Sequence, residues 1–114
     1  MRTVTIGVSH IDDAKARMNA ALRGENLGDF ISFESVELLW KVLSPRRWEL
    51  LQAMAGREAM SLRAISRLAG KDLKTVHGDV HALLNAGILE RLDEGVVFPY
   101  DSVHVDFTVG GRAA

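Results

Sequence analysis

Ser61-Leu-Arg-Ala-Ile-Ser-Arg-Leu-Ala-Gly70, then Lys71-Asp-Leu-Lys-Thr-Val-His-Gly-Asp-Val-His-Ala-Leu-Leu-Asn-Ala-Gly87, then Ile88-Leu-Glu-Arg-Leu-Asp-Glu-Gly-Val-Val-Phe98, decides how this chain folds. Ser61 is placed to cap a short helix whose apolar stripe is Leu62, Ile65 and Leu68. Asp72 caps a longer one with the stripe Leu73, Val76, Val80, Leu83 and Leu84. After Gly87 the period shortens to that of strands, and Asp93-Glu-Gly95 turns them into a hairpin with glycine where a positive φ is wanted. Helix, turn, longer helix and hairpin is the order of a winged helix-turn-helix, whose second helix enters a DNA major groove. The expected class is mainly α with a small β part (α+β).

Working back from Ser61, Ser44-Pro45 ends one helix and opens the next, with serine at the N-cap and proline in the first turn. The helix it opens should bury Trp48, Leu51, Met54 and Ala55 and stop at Gly56. The preceding helix starts at Ser35 and is apolar nearly all round (Val36, Leu38, Leu39, Trp40, Val42, Leu43), which predicts a central position. Phe30-Ile-Ser-Phe33 is a short apolar run, extended or packed down. Trp40, Trp48, Phe30 and Phe33 sit among leucines and valines and read as core, not as a base-stacking platform.

At the N-terminus, Val4, Ile6 and Val8 alternate with Thr3, Thr5 and Gly7 as in a half-buried strand. Ser9 then caps a helix with the stripe Ile11, Ala14, Met18, Ala21 and Leu22. Residues 24–29 read as a linker, so the expected organisation is an N-terminal strand–helix arm over 1–29, serving dimer or partner binding, and a DNA-binding domain over 30–114. Val103, Val105, Phe107 and Val109 form a last one-faced strand. Two such strands at opposite ends invite pairing with each other or with another chain.

The net charge of −1 over 114 residues argues against a nucleic-acid binder until it is resolved along the chain. Residues 1–40 carry four basic and six acidic side chains, 41–74 eight and three, and 75–114 two and six. The positive charge thus gathers in the helices leading into the expected recognition helix, the one after Asp72, and an acidic remainder suits a different, basic partner. A solvated basic face is the plainer alternative. The absence of cysteine excludes disulfides, thiolate metal sites and thiol catalysis. The N-terminus shows no secretory signal and no segment is apolar enough to span a membrane, so a cytoplasmic protein without membrane attachment is expected.

With its stripe turned to the core, the helix after Asp72 leaves Lys74, Thr75, His77, Gly78 and His81 outward. Lys74 and Thr75 suit phosphate or base edges, the histidines suit base acceptors, and Gly78 lets the helix approach closely. Arg63 and Arg67, four apart, are set to grip phosphates, with Ser61, Lys71 and, on the hairpin, Arg91. Arg46 and Arg47 occupy a helix's first turn, where cations are mildly unfavourable unless an anion is near, and they are expected to hold phosphates of the DNA backbone. The acidic hairpin tip, Asp93 and Glu94, is unlike a wing that enters a groove. His77 and His81 have the spacing of zinc ligands, but Gly78 stands where a zinc protease needs glutamate. No metal, no cofactor and no catalytic residue is expected, and the chain does not read as an enzyme.

Phe33-Glu-Ser-Val-Glu-Leu-Leu-Trp-Lys-Val-Leu-Ser-Pro-Arg-Arg-Trp-Glu-Leu-Leu51, Lys74-Thr-Val-His-Gly-Asp-Val80 and Phe98-Pro-Tyr-Asp-Ser-Val-His-Val-Asp-Phe107 resemble DNA-binding proteins with a MarR-like winged helix from toxin–antitoxin loci. The likeness is to antitoxins encoded beside TumE-type toxins and extends over about two-thirds of the chain. It implies a repressor of its own operon that also binds a cognate toxin. A homodimer on an inverted-repeat operator of double-stranded DNA is the expected assembly. Val4, Ile6, Val8, Met18 and Leu22 of the arm, or Val105 and Phe107 of the last strand, are the expected partner-binding residues. The rival reading is a winged helix that serves only as a protein-interaction module.

Overall fold

The computed structural model describes residues 2–8, 23 and 29–106. Its elements run β1 (Thr3–Val8), β2 (Asp29–Phe33), α1 (Val36–Val42), α2 (Pro45–Met54), α3 (Leu62–Ala69), α4 (Leu73–Asn85), β3 (Glu90–Leu92), β4 (Gly95–Val97) and β5 (Ser102–Asp106). The result is an α+β fold with four helices and two small sheets among the described residues.

Each helix begins where a side-chain oxygen satisfies a backbone N–H that the helix cannot. Ser35 Oγ accepts from Leu38 N at 3.1 Å, Ser44 Oγ from Arg47 N at 3.4 Å, Ser61 Oγ from Ala64 N at 3.1 Å, and Asp72 Oδ2 from Thr75 N at 3.1 Å. Pro45 stands in the first turn of α2. These are the four starts expected from the sequence.

β1 lies between β2 and β5 and is parallel to both, with Ile6 opposite Ile31 on one side and Val105 on the other. The strand expected in the arm is thus the middle strand of a sheet that joins both ends of the chain. Residues 24–28 of the expected linker, and the helix expected after Ser9, lie outside the described residues. The first residues are also tied by side chains. Arg2 Nε donates to Asp29 at 2.9 Å, Arg2 N donates to Asp101 Oδ2 at 2.7 Å, and the Arg2 guanidinium lies 4.7 Å from the Tyr100 ring centre.

A second sheet is the antiparallel hairpin β3–β4, with Leu92 opposite Gly95. Met60 joins it by exchanging both backbone hydrogen bonds with Val96, at 2.9 and 2.8 Å. Gly95 has φ 139°, and a Cβ there would stand 2.3 Å from the Met60 carbonyl oxygen. Glycine is therefore required for the close approach as well as for the turn. The hairpin is in this way fixed to the residue that leads into α3.

One core runs through all of this. Val4 and Ile6 from β1, Leu39 from α1, Leu51 and Met54 from α2, Ile65 from α3 and Val76, Val80 and Leu83 from α4 are buried in it. Two expectations are corrected. α1 is not central: Leu39 is buried, but Trp40 is 53% and Leu38 40% exposed. An all-round apolar helix of seven residues has too few neighbours here to cover every side. Leu73, expected in the α4 stripe, is also largely exposed, because it occupies the first residue of the helix ahead of the packed turns.

Candidate nucleic-acid interface

α3 ends at Gly70, whose left-handed φ of 67° and ψ of 31° close the helix while its N–H reaches the Ser66 carbonyl. Only Lys71 and Asp72 separate that turn from α4. Asp72 carries the cap, and Thr75 Oγ1 donates a further hydrogen bond to Asp72 Oδ1 at 2.7 Å. These two bonds, the hydroxyl first, hold the Asp72 carboxyl below the ordinary carboxylate value. The turn between the helices is therefore short and closed at both sides.

Among the expected base-facing residues, Lys74, His77 and Gly78 are exposed, and Thr75 and His81 are half-buried. The Thr75 hydroxyl proton is spent on Asp72, which leaves its methyl group and an acceptor lone pair. The rings of His77 and His81 lie with centres 4.2 Å apart, tilted by 40°. Among the described residues, a Cβ placed on Gly78 would meet nothing within 4 Å beyond its own stretch of helix. Packing among the described residues therefore gives no reason for glycine in the middle of a 13-residue helix.

The expected phosphate set divides. Ser61 is the α3 cap. Arg63 and Arg67 are exposed one turn apart on α3, Lys71 is exposed in the turn, and Arg91 is exposed on β3. Among the described residues, none of Arg63, Arg67, Lys71, Lys74 and Arg91 has a carboxylate within ion-pair distance. Arg46 and Arg47 already hold an anion, and it is Asp79 of α4. Arg46 Nε and Nη2 donate to the two Asp79 oxygens at 2.7 and 2.8 Å, and Arg47 Nε donates to Oδ1 at 3.0 Å. Arg47 Nη1 also donates to the carbonyls of Lys41 and Val42 at 3.3 and 3.0 Å, closing the end of α1. Asp79 is only 3% exposed. The Arg46 hydrogen bond, aided by Arg47 and opposed by burial, keeps its carboxyl below the ordinary value.

Asp79 was missed in the sequence, although a signal was present. An aspartate amid Val76, Val80 and Leu83 requires a cation, and two arginines in a helix's first turn require an anion. Each oddity answers the other. Arg46 Nη1 keeps no partner among the described residues, and the Arg46 side chain is 51% exposed. Arg46, Asp79 and Lys71 line one cleft of about 140 Å³ between α2, the end of α3 and α4.

The expected partner-binding residues are arranged differently. Val4 and Ile6 are fully buried in the core, because β1 is paired along both edges and offers none to a partner. Val8 and Val105 are half-buried, and Met18, Leu22 and Phe107 lie outside the described residues. Among the described residues, no group of three or more histidine, aspartate or glutamate side chains is disposed to hold a metal ion. No described helix is long and apolar enough to cross a membrane.

The HVO_A0114 family model matches residues 42–105, which is more than half of the chain. The chain belongs to the HVO_A0114 family. The HVO_A0114 match begins at the end of α1 and closes within β5, so it contains Arg46, Arg47, Asp79 and the whole of α3 and α4. No curated protein and no solved structure matches the chain.

Proposed function

We propose that this member of the HVO_A0114 family is a winged helix-turn-helix protein that binds double-stranded DNA with α4 and regulates transcription. The observation that carries the reading is the outer face of α4, where Lys74 and His77 flank a glycine whose missing side chain no packing among the described residues demands. A base edge would demand it. Arg63 and Arg67 on α3 and Lys71 in the turn before α4, exposed and without a carboxylate partner among the described residues, supply charge to hold the DNA backbone. The bridge from Met60 to Val96 supports the winged form, since it fastens the hairpin next to α3. A MarR-like regulator, acting as a homodimer on an inverted repeat and serving as antitoxin to a neighbouring toxin gene, is the biological role we infer from the sequence resemblance. In this role the protein binds and does not catalyse.

The test is selection of duplexes from a randomised pool, followed by gel-shift titration at two salt concentrations. Lys74→Ala should lower affinity for the selected duplex by about 1–3 kcal/mol and relax its sequence preference, whereas Arg63→Ala should weaken all duplexes alike and flatten the salt dependence by about one unit. Lys74→Ala and His77→Ala variants that both footprint like the parent would remove α4 from the mechanism. A second reading, a winged helix that holds a protein without touching DNA, draws on the hairpin, where Leu92 is 45% exposed beside Asp93 and Glu94. Under that reading no duplex is enriched at either salt concentration.

A further inference from the structure

We propose that Arg46 and Lys71 together grip one phosphate of the DNA backbone, and that Asp79, which the DNA does not touch, aims Arg46 at it. The inference rests on the DNA-binding reading and names a site within it. A guanidinium carries five N–H donors in one plane. Arg46 commits its Nε and one Nη2 hydrogen to the two oxygens of Asp79, which fixes that plane and directs the remaining donors, both on Nη1 and one on Nη2, away from the carboxylate. Half of the side chain stays in solvent.

Lys71 reaches the same cleft from the turn before α4, over a floor that includes Leu50, Ala69 and Val76. Glu49 and Asp79 also line the cleft, so its two cations face two carboxylates, and Arg47, paired with Asp79 from behind, supplies the third positive charge that leaves the group net cationic. The adjacent arginines therefore have different tasks. Arg47 is mostly buried and spends its donors on Asp79 and on the last carbonyls of α1, so it joins helices. Arg46 joins helices with one edge of its fork and presents the other. A surface arginine that had to be ordered on binding would lose rotamer freedom at that moment, whereas this one is ordered beforehand.

The experiment uses a duplex selected with the parent protein, in which neutral methylphosphonates replace the backbone phosphates one at a time. The parent should lose about tenfold at one phosphate beyond the bases read by α4. Arg46→Ala should lower affinity for the unmodified duplex by a similar factor, lose sensitivity at that phosphate, and flatten the salt dependence by about one unit. Arg46→Lys should lose nearly as much, because an ammonium cannot take both carboxylate oxygens and a phosphate in one plane. Asp79→Asn should reproduce the Arg46→Ala profile in the parent and add nothing when placed on Arg46→Ala.

An Asp79→Asn loss that is equally large on the Arg46→Ala background would make Asp79 a folding residue only and overturn its aiming role. Arg46→Lys that binds and profiles like the parent does the same, and it leaves the Asp79–Arg47 pair intact should Asp79→Asn fail to fold. A parent whose methylphosphonate profile matches that of Arg46→Ala overturns the clamp and leaves DNA binding standing. A parent that shifts no duplex overturns both.

Discussion

The sheet β2–β1–β5 and the helical body from α2 to β4 are built on opposite economies of chain. In the body, successive elements are neighbours, each helix is opened by an oxygen three residues from the N–H it satisfies, and the turn between α3 and α4 is three residues long. In the sheet, Thr3 pairs with Ser102, and Val4 pairs with Asp29. Closing loops of that length must precede any gain from burial, so the body has local reasons to form and the sheet has only its finished core. The candidate interface lies wholly on the local part. The sheet, by contrast, ties residues 3–7 to residues 102–106 and contributes Val4 and Ile6 to the shared core.

The largest effect should come from striking the sheet. Ile6 is fully buried in the middle strand, so Ile6→Ala should destabilise by about 2–5 kcal/mol. Because Val4 and Ile6 share one core with Leu39, Leu51 and Leu83, thermal unfolding should remain a single transition when followed by far- and near-ultraviolet circular dichroism. Helical signal that outlives the tertiary signal in this variant would show that the body stands without the sheet, and the contrast between the two would become a division into separate folding units.

Within the body, the long-range side-chain polar link is Asp79 with its two arginines. Asp79→Asn should cost about 1.5–3 kcal/mol at neutral pH, since charge-assisted hydrogen bonds from both arginines weaken together. The direction with pH follows from the depressed carboxyl. In the folded protein it binds a proton only below the value it has in the unfolded chain, near 3.9, so its stabilisation is complete above about pH 4 and is lost as pH falls through the folded value. Acid unfolding of the parent should accordingly be steeper below pH 4 than that of Asp79→Asn. Equal slopes in urea titrations between pH 4 and pH 2 would show that the carboxylate contributes nothing to joining α2 and α4.

How far the residues alone disclosed this molecule follows the same split. Ser35, Ser44, Ser61 and Asp72 could be read as helix starts because capping is settled within four residues, and the hairpin could be read from Asp93-Glu-Gly95 for the same reason. Alternation in Val4, Ile6 and Val8 gave the buried face of β1 but not its neighbours, since period two says nothing about which strands lie alongside. Trp40 and Leu38 misled because a helix apolar on every side carries no moment to orient it. On the α4 face, exposure could be read from the 3.6-residue period and the Thr75 hydroxyl turned back to Asp72 is part of the local cap, but Arg46 joined to Asp79 is a tertiary choice, made by which elements come to rest against each other.

The smallest expected effect is the most discriminating for that face. Gly78 lies in mid-helix with open space around it, so Gly78→Ala meets no steric obstacle and should stabilise the fold by about 0.5–1 kcal/mol through helix propensity. A glycine kept for packing would give the reverse sign, and among the described residues no atom beyond its own stretch of helix lies within 4 Å of the added methyl. If α4 lies against bases at this point, the same methyl must weaken DNA binding, because it holds the helix away from the groove floor. Stability and affinity should therefore move in opposite directions in one variant, read by thermal melting and by titration of a selected duplex. A Gly78→Ala protein that is more stable and binds its duplex as tightly as the parent would leave the glycine without a role in recognition, and would shift the reading surface toward the exposed cations of α3.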